Sequence, residues 1–276
     1  MPGVSGRRPG TRGVVGRASS LLSSALAFLR TPRGGAFVAL SVVLGIYYGV
    51  ARSLPNFTIW WEVAILSFLV IPAVFGLVYL VLPVWRQPRL VLPAGIAFAV
   101  LAALLQVAGL HVLANFAKLA AITLIAFWFL SYFETAAWVV LVALIVPWVD
   151  AVSVWRGPTK HIVTQQREVF TTFSFAFSVP GEVNTAQLGL PDLMFFALFL
   201  AACERFRLRT RLTWAAMTLS FGATMALTVA FEINGLPALP LLSLGFVAPN
   251  VDLLWKKIRA DGTWGNLRSE RQAAGP

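Results

Sequence analysis

The sequence predicts an all-α polytopic membrane protein with about eight transmembrane helices, and three observations carry that prediction. Of its 276 residues 58% are hydrophobic and only 12% are charged, with a mean hydropathy of +0.79. Apolar runs recur at lengths near or above the roughly 20 residues a helix needs to cross a hydrocarbon core. In lipid every backbone polar group must be satisfied internally, so such runs are read as helices. Trp and Tyr, finally, gather near the ends of several runs, where amphipathic rings sit at headgroup level.

Residues 1–33 are rich in Gly, Ser and Arg and are expected to form a basic, disordered cytoplasmic tail. The apolar piece from Leu21 to Leu29 is short and stops at Arg30 rather than at a small-residue cleavage site, which argues against a cleavable signal peptide. Residues 34–256 form the transmembrane domain. Its spans are expected at Ala36 to Ala51, Ile59 to Trp85, Leu90 to Leu113, Leu119 to Phe133, Ala136 to Trp155, Leu190 to Phe206, Leu212 to Phe231 and Leu236 to Trp255. Residues 257–276 form a second cytoplasmic tail.

The formal charge of +11 is explained by topology rather than by a nucleic-acid partner. With eight spans, seventeen basic residues fall on the side that holds both termini. They lie in the N-terminal tail, at Arg86 and Arg89, at Arg205, Arg207, Arg209 and Arg211, and in the C-terminal segment from Lys256. The other side holds five: Arg52, Lys118, Arg156, Lys160 and Arg167. The positive-inside rule then puts both termini in the cytoplasm. Eighteen arginines against four lysines fit a GC-rich prokaryotic source and hence a prokaryotic cell (inner) membrane. The single cysteine, Cys203, excludes an internal disulfide and is expected to pack as a small apolar residue.

Two acids interrupt the apolar runs: Asp150 in ALIVPWVDAVSVW and Asp192 in LGLPDLMFFALFL. A charged carboxylate near the bilayer centre costs roughly 2.5–3.5 kcal/mol on insertion scales, so its presence there points to function. The two fall on consecutive helices, which are usually neighbours. Carboxylates a few ångströms apart share a proton, leaving one acid and one base, and such a pair can activate water against a peptide carbonyl. Proton relay, ion binding and helix packing remain open for the pair on residue type alone.

The motifs around these acids resemble those of the presenilin and signal peptide peptidase family of intramembrane aspartyl proteases, and the archaeal presenilin-like members most closely. Val149-Asp150 matches the family's Tyr-Asp, Gly189-Leu190-Pro191-Asp192 matches its Gly-x-Gly-Asp, and Pro237-Ala238-Leu239 matches its Pro-Ala-Leu. The run after Asp150, Ala151 to Val163, is similar to archaeal wording, and the resemblance covers about Glu134 to Trp255. It departs at Val149 and Pro191, and in helix count, since the family usually has nine spans. It implies a presenilin-like core in which Asp150 and Asp192 are the catalytic dyad, with no metal or other cofactor. Gly189, Leu190, Pro191, Pro237, Ala238 and Leu239 would line the cleft for transmembrane or signal-peptide-like helices of substrate proteins. The deduced orientation resembles that of signal peptide peptidase and implies substrates whose N-termini lie inside.

Ahead of Asp192, FTTFSFAFSV (Phe170 to Val179) alternates with a period of two and is expected to be a strand. By the same resemblance Phe175 and Phe177 would lie on a strand that binds unwound substrate through its edge. An interfacial segment with its phenylalanines dipped in lipid reads equally well from the residues. His111 and His161 lack acidic or Cys partners in zinc spacing, and no Gly-x-Ser-x-Gly elbow is present. The alternative from another class is a proton-coupled transporter or a non-catalytic membrane scaffold.

Overall fold

The computed structural model describes residues 29–156, 172–183, 185–232 and 236–261. Helix α1 spans Pro32–Val50 and ends in a 3-10 turn at Ala51–Ser53. Helix α2 fills Ile59–Arg86, α3 spans Pro88–Val107, and α4 spans His111–Phe129 with a 3-10 turn at Leu130–Tyr132. Then follow α5 (Ala136–Arg156), strands β1 (Ser174–Ser178) and β2 (Thr185–Gly189), α6 (Leu190–Arg205) and α7 (Thr210–Ala230). The last helices are α8 (Leu239–Val247), joined by a 3-10 turn at Ala248–Asn250 to α9 (Val251–Asp261). Residues 1–28, Lys160, His161, Arg167 and residues 262–276 lie outside the described residues.

A helix stands at each of the eight predicted places. Among the described residues six helical runs are long and apolar enough to cross a membrane: Pro32–Ser53, Ile59–Arg86, Pro88–Val107, His111–Tyr132, Ala136–Ser153 and Thr210–Ala230. At 16 and 9 residues, α6 and α8 are shorter than those runs. One boundary moves. The predicted third span, Leu90 to Leu113, runs through a turn in which Gly109 takes φ +75° and Leu110 N–H donates to the Leu105 carbonyl at 2.9 Å. That is a Schellman C-cap, and it lets α3 and α4 fold back on each other. The residues around it, VAGLHVLA, are apolar enough to hide the turn from hydropathy, and Gly109 is its one local mark.

The core is built around α6. Its sequence, LPDLMFFALFLAACER, is apolar on every side, and a helix of that kind is stable only when surrounded. Every residue from Phe196 to Cys203 is fully buried, and α4, α7 and α8 pack on the helix that carries them. Phe196 stacks on Phe75 of α2 at 4.0 Å between ring centroids, and Phe199 stacks on Phe246 of α8 at 4.7 Å. Cys203 packs here as a small apolar residue.

Elsewhere small residues let backbones approach, as membrane bundles require. A Cβ on Gly222 of α7 would lie 2.9 Å from Ser67 Cβ, in a π-helical turn of α2 (Leu66–Val70) just before Pro72. A Cβ on Gly245 of α8 would lie 2.8 Å from Ser220 Oγ and 3.0 Å from Met217 backbone. Backbone cannot step aside as a side chain can, so Gly245→Val should destabilise the bundle by about 1–3 kcal/mol through overpacking. Thermal unfolding in detergent would show this, and an unchanged melting temperature would mean that α7 and α8 do not depend on this approach.

The helices run alternately up and down. At one end Arg86 and Trp85 of α2 meet Glu204 of α6, Arg205 meets the Leu130 carbonyl, and Arg209 pairs with Asp252 of α9. The opposite end holds the β1–β2 hairpin, whose turn docks on the end of α1 through Gly181 N–H to the Ala51 carbonyl at 2.8 Å. The predicted strand is therefore real, but it is half of a hairpin whose second strand leads directly into α6.

Candidate functional site

Asp150 and Asp192 both lie toward the hairpin end of the bundle. Asp150 sits on α5, half-buried, and its Oδ2 accepts a hydrogen bond from Leu239 N–H at 3.2 Å. Leu239 opens α8, so its N–H is one of the donors a helix leaves without an internal partner. The neighbouring prolines, Pro237 and Pro240, bring no N–H at all. Asp150 thus caps the α8 start, and the buried stretch Pro237, Ala238 and Leu239 lies against α5 there.

Asp192 is the third residue of α6, half-buried, and its carboxylate accepts from Gly189 N–H. An acid at this position reaching back to the residue before the helix is one arm of a capping box. Pro191 is exposed in the first turn, where a missing N–H costs nothing. Gly189 has φ −59° and ψ 140°, which any residue adopts, yet a Cβ there would lie 3.1 Å from Asp192 Oδ2. The glycine is needed for closeness to the carboxylate, not for backbone freedom. Helices α5 and α6 touch, and the two carboxylates are near enough for the charge of one to act on the other.

The hairpin fixes which backbone edge is available. Its register pairs Ser174 with Gly189, Phe175 with Leu188, Ala176 with Gln187, Phe177 with Ala186 and Ser178 with Thr185. Ala176 N–H donates to Asn115 Oδ1 at 2.9 Å and its carbonyl accepts from Asn115 Nδ2 at 2.7 Å, so Ala176 faces away from β2. Tyr48 also donates to that carbonyl and Tyr47 to the Ser178 carbonyl. Antiparallel pairs alternate, so Gln187 opposite Ala176 likewise turns its N–H and C=O away from β1. Leu190 N–H bonded to the Phe173 carbonyl continues the same alternation. The expectation of an exposed edge on the predicted strand is corrected accordingly. The edge of β1 is occupied by Asn115, Tyr47 and Tyr48, and the edge that faces outward among the described residues is that of β2, at Thr185 and Gln187, while the outward N–H of Gly189 is taken by Asp192.

Phe175 and Phe177 are 0% and 2% exposed and pack into the core, Phe175 edge-on to Phe116. They hold the hairpin down rather than face a cleft, because period-two alternation reports a buried face without saying what buries it. Val149 is 62% exposed. His111 opens α4, with Nδ1 3.3 Å from Gln106 Nε2. Sequence reasoning missed Asn115, Tyr47 and Tyr48. A lone amide in the apolar run HVLANFAKLAAITL was a signal for the first, whereas tyrosines near a span end read as ordinary belt residues.

These features define a helical integral membrane protein with a short antiparallel hairpin set beside two acids on neighbouring helices. Comparison with protein-family models, curated proteins and solved structures finds no match to the chain.

Because the backbone of Gly189 is unstrained, Gly189→Val should leave the hairpin intact while pushing against the Asp192 carboxylate. A melting temperature close to that of the wild type is the expected result, and a large fall would mean that the hairpin depends on the glycine itself.

Proposed function

We propose that the chain is an intramembrane aspartyl endopeptidase that cuts transmembrane or signal-peptide-like helices of other membrane proteins. The observation that supports this best is the convergence, at one end of the bundle, of Asp150, Asp192, the Pro237-Ala238-Leu239 stretch and the open edge of β2. The resemblance to the presenilin and signal peptide peptidase family assigns the first three of these to the site, and the β2 edge stands in for the edge expected on the preceding strand. In this reading one carboxylate takes a proton from a bound water as it attacks the peptide carbonyl, and the other protonates the leaving amine. No covalent intermediate and no metal enters the proposal. The substrate segment unwinds and adds to the β2 edge through main-chain hydrogen bonds, which carries its carbonyl toward Asp192, three residues beyond β2.

Eight spans are proposed to cross the membrane, α1 to α7 and α8 with its continuation into α9, and α6 is shielded from lipid by its neighbours. Both termini are then cytoplasmic, because the described residues at the Arg86, Arg205 and Arg209 end are strongly basic, while Arg52 and Lys118 belong to the other. The orientation suits substrates with their N-termini inside.

One observation favours a second reading, a proton-coupled transporter or non-catalytic scaffold: each aspartate already accepts from a helix-start N–H. Reconstitution separates the two. Purified protein should cleave a reporter with a destabilised transmembrane helix, whereas Asp-dependent proton flux without cleavage would favour transport.

A further inference from the structure

At the end of the bundle away from the two aspartates, a cavity of about 500 Å³ opens between the starts of α1 and α7 and the ends of α2 and α6. Arg33, Tyr79, Glu204, Arg209, Thr210 and Arg211 line it. Its charges are not all committed. Glu204 is satisfied by Arg86 at 2.9 Å and by Trp85 Nε1 at 3.0 Å. Arg209 is held by Asp252 in a two-pronged pair at 2.6 and 2.8 Å. Arg33 and Arg211 are exposed and have no ion-pair partner among the described residues.

The start of α7 adds to that surplus. Arg209, the residue before it, provides no side-chain cap, and the backbone N–H groups of Arg211 and Leu212 have no backbone partner among the described residues. Helix starts carry partial positive charge and free donors, and here two cationic side chains share the cavity with one. A smaller neighbouring cavity of about 270 Å³ offers a contrast. Its arginines are Arg86, bound to Glu204, and Arg205, bound to the Leu130 carbonyl and lying over the Phe206 ring.

What would fill the larger cavity follows from its depth. It lies at the ends of α1, α2 and α7, each long and apolar enough to cross a membrane, which puts it where headgroups would sit, and Tyr79 in its lining packs 6.0 Å, centroid to centroid, from Trp214. Below it Leu212, Leu219 and Leu227 form an exposed ridge along one face of α7. A ligand that is anionic at one end and apolar at the other suits both parts.

We propose that this cavity binds the phosphate headgroup of an anionic phospholipid between Arg33 and Arg211, with the acyl chains lying on the Leu212–Leu219–Leu227 ridge. Binding here would tie α1 to α7 at the cytoplasmic end of the bundle. The site is independent of the proteolytic reading and stands if that reading falls.

Native mass spectrometry of the purified full chain, with phosphatidylglycerol or phosphatidylcholine added to the detergent, tests it. Two unpaired arginines should favour phosphatidylglycerol by on the order of tenfold or more. The preference should drop in Arg33→Gln and in Arg211→Gln and vanish in the double variant, with unchanged melting temperatures. Arg89→Gln, at the same end but outside the cavity, should keep it. Equal retention of the two lipids by the wild type, or an unchanged preference in the double variant, would overturn the proposal. Displacement of phosphatidylglycerol by low-millimolar inorganic phosphate would overturn it in favour of a soluble phosphate, and resistance to displacement would support the lipid.

Discussion

Asp150→Asn and Asp192→Asn should each lower reporter cleavage by about 10²–10⁴-fold, the range lost when a general acid or base is removed, while the protein stays folded. The structure makes this substitution informative. An asparagine keeps a carbonyl oxygen where the carboxylate was, so it still accepts from Leu239 N–H at the start of α8 or from Gly189 N–H at the start of α6. A capping role therefore survives the change and an acid–base role does not. Replacement by leucine removes both, and should cost stability as well as activity through the uncapped helix start. If the aspartates serve packing alone, the asparagine variants keep whatever activity the protein has and only the leucine variants suffer. Cleavage rates and melting temperatures on the same preparations separate these outcomes.

The second large effect belongs to the sheet edge. Gln187→Pro should reduce kcat/KM on the order of ten- to a hundredfold with the hairpin intact. The register puts Gln187 opposite Ala176, whose N–H and carbonyl are bound by Asn115, so the Gln187 N–H points away from β1 and proline there breaks no ladder bond. It does remove a donor from the edge where a substrate strand would add, and places a ring in its path. The Gln187 side chain bonds Ser174 Oγ and Thr185 Oγ1, so Gln187→Ala is the matched control and should stay within a fewfold of wild type. Phe175→Pro acts on the other class of position. Phe175 pairs with Leu188 through ladder bonds and is fully buried, so proline there should damage the hairpin and lower the melting temperature. Unaltered cleavage by Gln187→Pro would rule out strand addition at β2.

Much of this arrangement is readable from the residues, and the parts that are not share a cause. Long apolar runs report helices because lipid leaves the backbone no other partner, and each of the eight predicted places holds one. The turn at Gly109 is hidden because its flanks are as apolar as the helices it joins. Alternation marked β1 but not β2, since TAQLG has neither β-branched bulk at every second position nor a two-residue turn before it. Nor could alternation say that Asn115, sixty-one residues earlier, would take the strand's free edge. That Asp150, Asp192, Gly189 and the Pro237-Ala238-Leu239 stretch lie together was legible from the cost of acids in lipid and from motif order. That Gly189 matters for its nearness to Asp192, and that Asp150 meets Leu239 through backbone, required the coordinates.

Under the proposed function this chain alone hydrolyses a peptide bond within a membrane-embedded helix. Intact-mass spectrometry of a reporter incubated with purified protein in lipid nanodiscs should then give two fragments whose masses sum to the substrate plus one water, cut inside the transmembrane segment, and absent with Asp150→Asn or Asp192→Asn. An intact reporter across a range of lipids and pH, or the same fragments from the asparagine variants, would contradict it.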